Sequence, residues 1–76
     1  MALELITYIT QNLVVDTDSL SVTANRKGHV LNVEIRCAPE DAGRIIGRNG
    51  RIINSIRTLA RAAAEGRERI DVNLID

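Results

Sequence analysis

Aromatic side chains are almost missing from this 76-residue chain: Tyr8 is the one aromatic residue, and there is no tryptophan or phenylalanine. That excludes binding modes in which nucleobases stack on exposed rings, so any contact with a base must use aliphatic surface. Cys37 stands alone and cannot form an internal disulfide, and His29 is the single histidine. No metal cluster of recognisable spacing is present, and no cofactor is implied. No apolar run approaches the ~20 residues that span a bilayer, and the N-terminus has no basic stretch leading into an apolar run of signal-peptide length. A cytoplasmic, reducing setting is the expectation. Nucleophile-base pairings and acid/base pairs are also wanting, which argues against an enzyme and against a small-molecule substrate.

Net charge is the last thing lacking, for ten basic residues balance ten acidic ones. The balance hides an asymmetry. Arg44, Arg48, Arg51, Arg57 and Arg61 fall in one acid-free stretch, leaving five basic and all ten acidic residues to the rest of the chain. A chain neutral in sum is therefore basic in one place, which is what an anionic partner would find.

What is present is globular: 45% of residues are hydrophobic and 26% charged, a balance unlike that of disordered chains. A chain of this length forms one domain, here residues 1–76, burying only about 60% of its unfolded surface. Residues 2–13 carry Leu5, Ile6, Ile9 and Leu13 at helical spacing. Asp16, Asp18 and Ser19 then mark a connector. Leu20, Val22 and Ala24 alternate with polar residues, as do Leu31, Val33 and Ile35 after Arg26-Lys27-Gly28, which predicts a β-hairpin. Pro39, followed by Glu40 and Asp41 where the helix dipole favours acids, opens a short helix to about Ile46. That setting makes helix capping a better account of the two carboxylates than acid/base chemistry. A further helix runs from Arg51 to the alanines before Glu65-Gly66, with Ile52, Ile56, Leu59 and Ala63 on one stripe. Ile70, Val72 and Leu74 predict a last strand. The order is α-β-β-α-α-β, an α+β fold whose two-helix crossover returns the third strand parallel to the second, giving sheet order 1-2-3 with the helices on one face.

Between the two central helices lies Gly47-Arg48-Asn49-Gly50. A lone G-x-x-G is weak, since chance alone supplies one in roughly a third of chains this long. Here Ile45-Ile46 precede it, Ile52-Ile53 follow it, and arginines stand at 44, 48 and 51. Glycine lets a sugar-phosphate backbone approach without a β-carbon in the way. The loop also delivers the chain into a helix N-terminus, where unpaired N–H groups attract anions. Arg48 adds a mobile charge.

The run Ile45-Ile46-Gly47-Arg48-Asn49-Gly50-Arg51-Ile52-Ile53 resembles the signature of KH domains, and the element order resembles their bacterial, type II arrangement. Length, the N-terminal helix and the run Arg57-Thr58-Leu59-Ala60-Arg61-Ala62-Ala63-Ala64 are similar to those of the small single-domain KhpA family. The resemblance implies an RNA chaperone or post-transcriptional regulator whose loop clamps about four nucleotides of single-stranded RNA beside an aliphatic groove. It places Gly47, Arg48, Asn49 and Gly50 in the clamp, with Arg44, Arg51 and Arg57 as supporting cations and Ile46 and Ile53 as candidates for the groove. The two helices and the third strand would frame that groove, with residues 65–69 as its rim. The family often carries lysine in the middle of the loop, where this chain has Arg48 and neutral Asn49. It also implies a homodimer or a pairing with a larger KH-containing protein.

Plainer readings exist for each residue. The loop could be a bare helix-helix turn. Arg57 and Arg61, one helical turn apart on the polar side, are equally consistent with solvated arginines. Cys37 and Tyr8 fit packing roles, Tyr8 also a dimer contact. A KH fold serving only to recruit a protein partner is the rival function. A helix-turn-helix DNA binder is disfavoured, because Ile52 and Ile53 sit where base-reading polar side chains would be needed.

Overall fold

The computed structural model describes residues 2–75. Helix α1 spans Ala2–Leu13, strand β1 Ser21–Lys27, strand β2 Val30–Arg36, helix α2 Ala42–Ile46, helix α3 Arg51–Ala64 and strand β3 Arg69–Leu74. Short 3-10 turns at Thr17–Ser19, Pro39–Asp41 and Arg48–Gly50 join them. The architecture is α+β in the order α-β-β-α-α-β, as the resemblance to type II KH domains implies.

Alternation along the strands sets the sheet. β1 and β2 pair antiparallel from Ser21↔Arg36 to Lys27↔Val30, and β2 pairs parallel with β3 from Val30↔Arg69 to Ile35↔Leu74, giving the order β1-β2-β3. With a period of two, one sheet face collects Val33, Ile35, Ile70 and Val72, all buried, flanked by Val22, Leu31 and Leu74. α1, α2 and α3 supply Ala2, Ile6, Ile45, Ile56 and Ala60 to the same cluster. The sheet's opposite face carries polar pairs such as Asn25↔Asn32 and Asn32↔Asp71.

Two helical stripes differ in detail from the expected ones. α1 buries Ala2, Ile6 and Thr10, and Val14 continues that row, while Leu5 is only partly buried. A four-residue step places these on one side of the helix, and Thr10 is accepted there because its hydroxyl donates to the Ile6 carbonyl at 2.9 Å. In α3 the buried residues are Ile53, Ile56 and Ala60, and Leu59 is 49% exposed. The core face of α3 is centred one residue away from the Ile52-Leu59-Ala63 stripe because the small Ala60 lets the helix lie close to its neighbours, turning Leu59 outward.

Asp41 also departs from its expected role. It makes no side-chain cap to α2. Its carboxylate is 1% exposed and accepts the N–H groups of Val15 and Asp16, both at 3.0 Å, from the segment that follows α1. Arg44 Nη1 donates to it at 3.1 Å. These bonds hold its pKa below the ordinary 3.8, chiefly through the Val15 and Asp16 N–H groups, with the Arg44 charge assisting against the opposing cost of burial. The start of α2 is thus tied to the end of α1, so the loop after α2 is carried on a braced support. Among the described residues, no buried side-chain nitrogen or oxygen lacks a hydrogen-bond partner.

Candidate nucleic-acid interface

α2 ends where Gly47 N–H closes on the Gly43 carbonyl at 2.9 Å. Gly47 itself has φ 75° and ψ 172°, a conformation open essentially to glycine alone. A β-carbon there would lie 2.6 Å from Ile52 Cγ1 and 2.9 Å from both its Cβ and its backbone nitrogen, so the first turn of α3 fills the space a side chain would need. Asn49 (φ 58°) and Gly50 (φ 75°, ψ 15°) are both left-handed. Asn is among the few non-glycine residues that adopt this region readily, which gives a conformational reason for Asn49 in the loop. Gly50 is crowded far less than Gly47, since its β-carbon would meet only Asn54 Nδ2 at 3.6 Å. The two glycines therefore do different jobs, Gly47 granting close packing and Gly50 granting a dihedral angle.

The turn from Gly47 to Gly50 is closed by the Gly50 N–H on the Gly47 carbonyl at 3.2 Å. It leads directly into the fourteen-residue helix α3, whose N-cap Gly50 offers no side-chain oxygen to the first helical N–H groups. Those groups and the helix dipole leave a positive potential at the loop, with Arg48 and Arg51 exposed beside it.

The remaining residues expected at the site are distributed unevenly. Arg44 is turned back along α2, its Nη1 shared between the Glu40 carbonyl and Asp41. Ile46, at the end of α2, is 39% exposed and offers aliphatic surface next to the loop, whereas Ile53 is buried. Arg57 lies against β3: its Nε donates to the Val72 carbonyl at 3.0 Å and its Nη1 to Asn54 Oδ1 at 2.9 Å. There it lines an open groove of about 540 Å³ between α3 and β3, together with Asn54, Thr58 and Arg61 from the helix and Arg69, Asp71 and Asn73 from the strand. The volume suits a nucleotide-sized ligand. Its walls are polar, with three arginines against one aspartate, where the sequence led to an expectation of aliphatic surface. The resemblance implies the third strand as a side of this groove and residues 65–69 as its rim, which takes in Arg69 but singles out neither Asp71 nor Asn73. Those two alternate outside the apolar positions of β3 and read as ordinary solvated residues until α3 is packed beside them.

Among the described residues no cluster of His, Cys, Asp and Glu could hold a metal ion, and no helix is long and apolar enough to cross a membrane. Cys37 packs against the hydrophobic core, and Tyr8 is 67% exposed, so it takes no packing role within the chain.

Compared with known proteins, residues 3–75 match the family model described as KhpA/KhpB, KH domain. The chain is 41% identical over 73 residues to the RNA-binding protein KhpA of Leifsonia xyli subsp. xyli, covering 93% of this chain and 92% of the relative. It is 40% identical over 77 residues to the protein of that name from Borreliella burgdorferi, covering 97% and 92% of the two chains. For the one from Caldanaerobacter subterraneus subsp. tengcongensis the figure is 38% over 73 residues, covering 95% and 97%.

Proposed function

The chain belongs to the KhpA/KhpB KH-domain family, and from that premise we propose that it is a cytoplasmic RNA-binding protein, one domain throughout, that grips about four nucleotides of single-stranded RNA. The observation that carries the reading is the loop of residues 47–50, with Gly47 packed on Ile52 and three residues at positive φ, opening into an uncapped α3. Phosphates sit on the loop with Arg48 and Arg51 as counter-charges, and bases extend past Ile46 into the groove between α3 and β3. Arg57 and Arg61 belong to that groove. Arg44 acts at a distance, its charge partly spent on Asp41. No reaction is catalysed.

Grip on so short a stretch is weak, which fits an RNA chaperone or post-transcriptional regulator whose affinity is raised by a second KH module. Leu59 and Tyr8, both exposed, support contact with another copy or with a larger KH-bearing protein.

Fluorescence anisotropy of a short single-stranded RNA at several salt concentrations tests the reading, with Arg48→Asp/Asn49→Asp as the control. Aspartate tolerates the left-handed region, so the variant folds, which circular dichroism checks. The native chain should bind with a log-log salt slope of about −0.7 per phosphate neutralised, and the variant should not bind. Equal binding by both would move the RNA site elsewhere, and no binding by either would favour a protein-recruiting module.

A further inference from the structure

β3 is an edge strand, and its hydrogen bonds fix which of its backbone groups face outward. The Arg69 N–H reaches the His29 carbonyl at 2.9 Å and the Ile75 N–H reaches the Ile35 carbonyl at 2.8 Å, both toward β2. Residues between them alternate, so the N–H and C=O groups of Ile70, Val72 and Leu74 point away from β2 onto the free edge, beside the groove. At the centre of that edge the Val72 carbonyl is already taken by Arg57 Nε. The Val72 N–H remains, so the centre of the edge offers a fixed donor, with the Ile70 and Leu74 carbonyls open on either side of it.

The side chains around it add further donors and one carboxylate. Arg57 keeps Nη2 uncommitted after its bonds to Val72 and Asn54, and Arg61 has no ion-pair or hydrogen-bond partner among the described residues. Arg69 donates Nε to Asp71 Oδ1 at 3.1 Å, which leaves Oδ2 as an anionic acceptor on the groove wall. A base held here meets several fixed donors and one carboxylate.

Adenine and cytosine each offer a carboxylate a single amino donor beside an acceptor. Uracil offers two carbonyl oxygens but a single donor between them. Guanine has the adjacent acceptors O6 and N7 that a guanidinium matches bidentately, and the donors N1–H and N2–H₂ that a carboxylate accepts. We propose that the groove between α3 and β3 selects guanine in single-stranded RNA, with Arg57 as the specificity-determining residue and Asp71 as the acceptor for the base's donor edge. This rests on the RNA-binding reading above. Arg57 offers its uncommitted donors to the base's acceptor edge, and the Asp71 carboxylate tells guanine's two adjacent donors from the single donor of the other bases.

The test uses the full chain and labelled six-nucleotide uridine tracts carrying one central guanosine, adenosine, cytidine, inosine or 7-deazaguanosine, with all-uridine RNA as reference. A single guanosine avoids association of guanine-rich strands. By anisotropy the guanosine tract should bind about tenfold more tightly than the adenosine tract. 7-Deazaguanosine, lacking N7, and inosine, lacking the N2 amino group, should each lose most of that advantage. Arg57→Met should abolish the preference and improve adenosine binding relative to guanosine, and Asp71→Asn should make inosine and guanosine equivalent. If Arg57→Met fails to fold, the 7-deazaguanosine result on the native chain still decides. Equal binding of all tracts, with Arg48→Asp/Asn49→Asp still inactive, overturns the base preference and leaves the loop reading intact. An absence of binding to every tract overturns both, and a guanosine preference that survives both 7-deazaguanosine and Arg57→Met overturns the assignment to Arg57.

Discussion

Replacing either loop glycine by alanine should have sharply different consequences, although both stand at φ 75°. At Gly47 two costs add. Its dihedral angles lie in a region nearly closed to other residues, which costs about 1–3 kcal/mol, and the new methyl meets Ile52 at 2.6–2.9 Å, where forced overpacking costs about 1–3 kcal/mol. One of the three clashing atoms belongs to the backbone of α3, so a rotamer change cannot relieve it, and a combined loss of about 2–6 kcal/mol is expected. For a chain of this length, whose whole stability is about 4–11 kcal/mol, that is severe. At Gly50 the methyl reaches only ordinary contact with Asn54, 3.6 Å away, leaving the left-handed penalty of about 1–2 kcal/mol. Urea unfolding followed by far-ultraviolet circular dichroism is the appropriate assay, because the chain has no tryptophan to report by fluorescence. Equal destabilisation by Gly47→Ala and Gly50→Ala would refute the claim that the close approach of α3, and not the dihedral angle alone, requires glycine at 47.

Two other perturbations address the core and the brace. Ile56→Ala, at a 2% exposed position, should cost about 2–5 kcal/mol, whereas Leu59→Ala should stay within about 0.5 kcal/mol of the native chain; similar urea midpoints for both would mean that the face of α3 turned to the core is misassigned. Asp41→Asn should melt at a lower temperature than the native chain at neutral pH, since an amide has one oxygen for the two N–H groups of Val15 and Asp16 and no charge for Arg44. Because folding lowers the pKa of Asp41 from 3.8, the carboxylate's stabilisation is present above that value and fades as pH falls through the lower folded one. The gap between native and variant melting temperatures should therefore narrow as pH is lowered below about 4, and a gap constant down to pH 2 would show that the Asp41 charge contributes nothing.

The order of elements and the position of the loop were legible in the sequence because both rest on short-range patterns. Alternation at Leu31, Val33 and Ile35, the Pro39 start, and glycines at 47 and 50 between two helical runs each act within a few residues. The N-terminal stripe was harder to place, since Thr10 is polar by composition and becomes a core residue only because its hydroxyl is satisfied by the turn before it. Leu59 was misread for the opposite reason: a large apolar residue at a helical spacing looks buried until Ala60 is found packed into the core in its place.

By itself, then, the sequence determined the α-β-β-α-α-β order, the basic stretch from Arg44 to Arg61 and a glycine loop between two helices, since propensity, periodicity and charge are local properties. Only the tertiary structure decided what that loop adjoins. Asp41 bonds to residues 26 and 25 positions away, and Arg57 reaches a carbonyl 15 positions on, across two elements. Neither contact has a sequence signature, because each depends on how α1, α3 and β3 pack around a shared core. That packing turns Arg44 toward Asp41 and Arg57 toward the edge of β3, and so divides one run of arginines into a brace, a clamp and a groove.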